Sequence, residues 1–88
     1  MFFITLTKWK QSPKNLPGII DKFTKNLEEL KKQGIKMTIY WTLGRYDAVS
    51  IIEAPSEKDA MRQLLPFVDI MDTETMVAVP REEAIKLL

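Results

Sequence analysis

The chain of 88 residues moves between apolar repeats of period two and apolar repeats of three to four in the order strand, helix, strand, strand, helix, strand. A hairpin signal joins the two middle strands, between Ile35 and Pro55. Each helical pattern links two strands of one sheet, and right-handed crossovers place both helices on the same side. These observations predict an α+β sandwich of the ferredoxin-like βαββαβ kind. Its antiparallel sheet carries two helices on one face and leaves the other face open.

The first strand is Phe2 to Lys10, where Phe2, Ile4 and Leu6 alternate with Phe3, Thr5, Thr7 and Trp9. Ile4 and Leu6 are expected to point toward the helices and the Phe3 to Trp9 set outward. Gln11 to Asn15, with Pro13, is a polar break. Leu16, Ile19, Ile20, Phe23, Leu27 and Leu30 then draw one apolar stripe, giving a first helix over roughly residues 17–33. Its polar face offers Asp21/Lys25, Lys25/Glu29 and Glu28/Lys32 pairs, each contributing a few tenths of a kcal/mol at most. Gly34 stands where a helix ends in a left-handed residue.

The hairpin follows, with strands at Ile35–Leu43 and Ala48–Ala54 around Gly44-Arg45-Tyr46-Asp47. Gly44 can take a positive φ without steric cost, Asp47 can bond nearby amides, and Arg45 and Tyr46 are displayed at the tip. Ser56 is a good N-cap, and Asp59 three residues on makes a capping-box-like arrangement. Ala60, Met61, Leu64 and Leu65 form the apolar face of this second helix, which Pro66 ends near residue 65. Phe67 to Asp72 reads as a connection, Thr73 to Val79 as a β-branched fourth strand, and Arg81 to Leu88 as a short terminal helix opened by Pro80.

Composition narrows the function. Residues 1–88 suffice for one domain, whose own core is modest because a chain of this size buries only about 60–70% of its unfolded surface. Thirteen basic against twelve acidic residues leave a charge of +1, which provides no footprint for nucleic acid or an anionic membrane. There is no Cys and no His. Disulfides, thiolate nucleophiles, Cys or His zinc sites, His- or Cys-ligated haem and imidazole-dependent triads are therefore excluded. The N-terminus has no signal-peptide pattern and no apolar run approaches a membrane span, so a cytoplasmic protein is expected, with no cofactor or metal called for.

Gly44-Arg45-Tyr46-Asp47, the strand end Glu53-Ala54-Pro55 and Thr73-Glu74-Thr75 together resemble the GYD family of small proteins. The resemblance implies the dimeric α/β-barrel assembly, in which two ferredoxin-like sheets pack face to face with helices outside. That wider group includes cofactor-independent monooxygenases, small-molecule-sensing regulator domains and haem-handling enzymes. The residues point to the same assembly. With Phe3, Thr5, Thr7 and Trp9 outward beside Thr38, Tyr40, Thr73 and Thr75, the open face reads as threonine and aromatic. Soluble monomers rarely tolerate such an aromatic face, and a second copy of the chain is the economical cover. Inward-facing threonines would make the barrel semi-polar.

Arg45, Tyr46 and Asp47 are the first candidate site. Arg45 could hold a carboxylate or phosphate, Tyr46 could donate a proton or stack, and Asp47 could orient either or act as base. The stronger reading is structural, an Arg/Asp pair and a Tyr ring that lock the hairpin turn and cap the barrel end. Lys8, Trp9, Tyr40, Trp41 and Glu53 form a looser set that resembles an aromatic-lined ligand pocket. Against that, Trp9 and Tyr40 suit a dimer interface, Trp41 suits packing under a helix, and Glu53 suits a cross-strand pair with Lys36. Asp69, Asp72 and Glu74 match no cation-loop spacing and read as a solvated acidic stretch. Met37, Met61, Met71 and Met76 read as core filler. The leading expectation is a homo-oligomeric small-molecule-binding or interaction module. The alternative is a cofactor-independent oxygenase or isomerase acting on a small aromatic or keto substrate through Tyr40, Tyr46, Asp47 or Arg45. A bare structural oligomer is the third reading.

Overall fold

The computed structural model describes all 88 residues. The strands are β1 (Phe2–Trp9), β2 (Lys36–Trp41), β3 (Ala48–Glu53) and β4 (Met71–Ala78), and the helices are α1 (Ile19–Lys32), α2 (Glu57–Leu64) and a terminal α3 (Arg81–Ile85). The sheet order is β2-β3-β1-β4 with every pairing antiparallel, the expected ferredoxin-like topology. β4 starts two residues before the expected Thr73, because Met71 and Asp72 already pair with Trp9 and Lys8. No helix is long and apolar enough to cross a membrane.

The helix ends follow local chemistry. At the end of α1, Gly34 has φ +79°. The Gly34 amide donates to Lys31 O at 3.2 Å and the Ile35 amide to Leu30 O at 2.9 Å. Those two bonds are a Schellman motif, and its usual apolar contact is made here by Leu30 and Ile35, both buried in the core. On the surface of α1, Lys32 pairs with Glu29 three residues away, and none of the three expected four-apart pairs forms. At the start of α2 the Ser56 hydroxyl accepts from the Asp59 amide at 3.4 Å and bonds the Asp59 carboxylate at 2.9 Å. Pro66 falls in a 3-10 turn over Leu65–Phe67, which ends α2 where proline demands it.

The core is Phe3, Leu30, Ile35, Ile52, Ala54 and Ala60, so α1 and α2 both pack on the side of the sheet that Phe3 and Ile52 present. This inverts the expected facing of β1. Phe3, Thr5 and Thr7 are buried beneath the helices, whereas Ile4 and Leu6 point to the open face and are only half-buried. Both faces of β1 are largely apolar, and shifting the assignment by one residue exchanges the faces entirely, so alternation alone could not choose between them. The register settles it: Phe3 stands opposite Ile52, which has no exposed surface. Thr5 fits because its hydroxyl bonds the Thr75 hydroxyl at 2.9 Å while its methyl packs.

Two further expectations change with it. Thr73 and Thr75 pair with Thr7 and Thr5 and so lie on the helix side. Of the methionines, Met37 packs against the core, but Met61 and Met76 are exposed. Likewise Met61 on α2 and Leu65 just past its end face solvent, and the buried side of the helix is Ala60 and Gln63.

Nothing lies within 4 Å of a methyl built on Gly34. Gly34→Ala is therefore expected to cost only the left-handed backbone penalty, about 1–2 kcal/mol. Urea unfolding checks this, and an unchanged midpoint would contradict the role of the motif.

Candidate functional site

Two regions gather the chemistry-bearing residues. The first is the loop between β2 and β3, where Gly44 has φ +132°. Asp47 continues the ladder past the end of β3: its amide donates to Thr7 O at 2.8 Å, and its carbonyl accepts from the Thr42 amide at 2.9 Å. Its carboxylate accepts from the Trp9 amide at 2.8 Å, in the place of the next missing rung. The Thr42 hydroxyl donates to Tyr46 O at 2.9 Å and the Lys8 ammonium to Arg45 O at 3.2 Å. Tyr46 extends across the strand ends, so that its hydroxyl donates to Glu74 at 3.1 Å. The Arg45 guanidinium lies 5.8 Å from the Tyr46 ring, a cation–π arrangement.

Lys8 and Glu74 belong to the open face, so this loop forms a wall at one end of that face. Arg45 and Tyr46 border a shallow, open cleft with Lys8, Asp72 and Glu74. Opposite charges alternate there. Asp72 also lies 3.7 Å from Lys10, and Asp69, Asp72 and Glu74 do not gather into a group able to hold a metal ion.

The second region lies on the other side of the sheet. Trp9 and Trp41 meet edge to face, with centroids 4.8 Å apart and an interplanar angle of 73°. Phe23 of α1 and Phe67 meet the same way at 5.1 Å and 67°. These four rings line a cavity of about 70 Å³ between the sheet and the two helices. Its polar lining is Thr7, Ser50, Asn26 and Gln63, and no charged residue contributes. Trp41 is 59% exposed, so it stands at the lip of the cavity and is not packed under a helix as expected. Trp9 faces the helices as well, which removes it from the open face.

The expected pocket residues are thus divided between two layers. Trp9 and Trp41 share the cavity, while Tyr40 stands on the open face beside Val49. Glu53 is at the opposite end of that face, across from Lys36 but without an ion pair between them. Sequence reading missed Gln63. Its signal was a polar residue on the stripe Ala60, Gln63, Leu64, Phe67, where spacings of three, four and seven mark the buried side of a helix.

Among known protein families, the model of the GYD domain matches residues 3–88. No curated relative matches the sequence. Among solved structures, the chain is similar to a dimeric ferredoxin-like protein of unknown function from Thermobifida fusca, with 14% identity and a TM-score of 0.53 over 88% of this chain and 89% of the other. At that identity the likeness speaks to the fold alone.

The loop geometry assigns unequal weights to its bonds. Asp47→Ala should lose about 1.5–3 kcal/mol of stability, since a hydrogen bond to a charged group is removed and a strand amide orphaned. Tyr46→Phe, which loses one exposed bond, should cost less than about 1 kcal/mol. Chemical denaturation of both variants checks the order, and equal costs would contradict it.

Proposed function

The chain belongs to the GYD domain family, and from that premise we propose that it works as a homodimeric small-molecule-binding module, closed by packing of the open sheet face against a second copy. The observation that carries the reading is the chemistry of that face. Directly opposed residues of an antiparallel ladder share a face, so the register places Ile4, Leu6, Val49, Ile51 and Met76 together at the sheet centre, with Tyr40 beside them. Ile51, Met76 and Tyr40 are each more than two-fifths exposed in the single chain. Charged residues border this patch, Lys36 and Glu53 at one end, Lys8 and Asp72 at the other, and Glu74 on the β4 edge directly beside Leu6.

The extent of exposure supports the same reading. The chain exposes 6543 Å², whereas a compact monomer of this mass exposes about 5,300 Å². The excess, about 1,200 Å², exceeds the roughly 800 Å² per partner of a standard interface. Only 13 of the 88 residues are buried, so a core of this size gains from a second layer against the sheet. The Thermobifida neighbour is described as dimeric, which agrees with the reading. The interface so formed is aliphatic, a correction to the threonine- and aromatic-rich face expected from the pattern. In this dimer the walls carrying Arg45 and Tyr46 flank the sheet contact, and the ring-lined cavities stay on the outer, helical side, one per protomer.

Ile51→Lys places a charge at the centre of the patch without touching the helix-side core. The wild-type protein should elute as a dimer in size-exclusion chromatography with light scattering, and the variant as a folded monomer with unchanged far-UV circular dichroism. A wild-type monomer, or a variant that stays dimeric, would overturn the proposal.

A further inference from the structure

β4 is an edge strand, paired with β1 on one side only. The Lys10 amide donates to Ile70 O at 2.9 Å, so Ile70 bonds inward to β1. Bonding alternates along an antiparallel ladder, which turns Asp72, Glu74, Met76 and Ala78 inward as well and aims the backbone groups of Met71, Thr73, Thr75 and Val77 at the free edge. No loop or neighbouring segment bonds them. Natural sheets ordinarily cover or blunt such an edge.

An apolar groove runs along the same edge. Met61, Leu65 and Val68 line one wall and Thr73, Thr75 and Val77 the other. Met61, Leu65 and Val68 follow one another at spacings of four and three, a second apolar stripe on α2 and its continuation that the core does not use. These three and Val77 are between 47% and 60% exposed. The opposite edge of the sheet differs, because α1 packs along β2 whereas α2 does not close over β4. The other side of β4 carries Asp72 and Glu74. Lys10 approaches the first and the Tyr46 hydroxyl the second, and both carboxylate residues stay exposed.

We propose that the outer edge of β4 is a docking site for an extended peptide segment in which apolar residues alternate with lysine or arginine, taken up as an added strand antiparallel to β4. Directly opposed residues share a face. Segment residues opposite Thr73, Thr75 and Val77 therefore enter the groove against Met61, Leu65 and Val68, and those opposite Asp72 and Glu74 meet carboxylates. The ladder supplies affinity and the alternation supplies specificity. The same acids argue against a second copy as the occupant. A β4 strand paired with itself would crowd Asp72 and Glu74 of both copies onto one face, the device by which edge strands resist self-pairing. The proposal goes beyond the dimer reading and uses the lateral edge of the sheet, not its open face.

Fluorescence anisotropy with a labelled heptapeptide of alternating lysine and valine tests it, beside peptides with glutamate for lysine, serine for valine, or N-methylated valine amides. The lysine–valine peptide should bind the wild-type protein saturably, and each control at least about tenfold more weakly, since each removes the charge, groove or ladder contribution. Thr73→Pro removes a donor that serves only the free edge and leaves the β1 bonds in place. It should weaken the lysine–valine peptide at least about tenfold with unchanged far-UV circular dichroism. Leu65→Lys, in the groove wall and outside the ladder, replaces it should the proline variant not fold. Equal binding of the N-methylated peptide would overturn strand pairing, and equal binding of the glutamate or serine peptide would overturn the partner class. Absence of a saturable response to the lysine–valine peptide would overturn the site itself. A light-scattering species of twice the dimer mass, abolished by Thr73→Pro, would assign the edge to a second copy and overturn the peptide as its occupant.

Discussion

The structure depends on the two-sided register of β1. It is a central strand, paired to β3 on one edge and β4 on the other, and its alternate residues supply two different layers. Phe3, Thr5 and Thr7 go beneath the helices, and Ile4 and Leu6 go to the open face. Because the side-chain period of a strand is two, this one assignment fixes the neighbours in every row. Ile52 and Val77 follow Phe3, Ser50 and Thr75 follow Thr5, and Ile51 and Met76 follow Ile4. The polar character of the helix-side layer and the aliphatic character of the open face are two consequences of the same register.

That division explains why the protein carries threonines where a core would usually be aliphatic. Thr5 is 1% exposed and is satisfied by Thr75 across the ladder. Toward the β2 end of the same layer, Ser50, Thr7 and Gln63 surround a space bounded by four aromatic rings. The half of the helix-side layer around Phe3, Ile52, Leu30 and Ala60 is conventionally packed, and the other half is not. The packed half holds the sandwich together, and the loosely filled half contains Gln63, whose amide bonds no other protein group.

Much of the fold was legible because it is encoded locally. Gly34, Ser56 with Asp59, and Pro66 each act within a few residues, and each fixes a helix end where expected. The hairpin loop was legible for the same reason, including the backbone-bonding role of Asp47, although its partner, the Trp9 amide, is 38 residues distant. The facing of β1 was not legible, since Phe3 and Ile4 are both apolar and only pairing with Ile52 separates them. Of the four rings around the cavity only Trp9 and Trp41 had been singled out in the sequence, since Phe23 reads as helix stripe and Phe67 as connection. Trp9, Trp41 and Tyr40 were grouped by position near strand ends, and parity along the strands sends Tyr40 to the opposite side. Gln63 was missed because the apolar face of α2, correctly begun at Ala60, was widened to Met61 and Leu65, which are exposed, and was not carried on to Phe67, which is buried.

The central claim is that the aliphatic face set by β1 is closed by the same face of a second chain. Mixing uniformly 13C-labelled and unlabelled protein and recording isotope-filtered nuclear Overhauser spectra tests this directly. Intermolecular contacts should arise from the methyl groups of Ile4, Leu6, Val49, Ile51 and Met76 and from the Tyr40 ring. Intermolecular contacts confined to the helix-side residues Leu65 and Val77, or none at all at millimolar concentration, would contradict it.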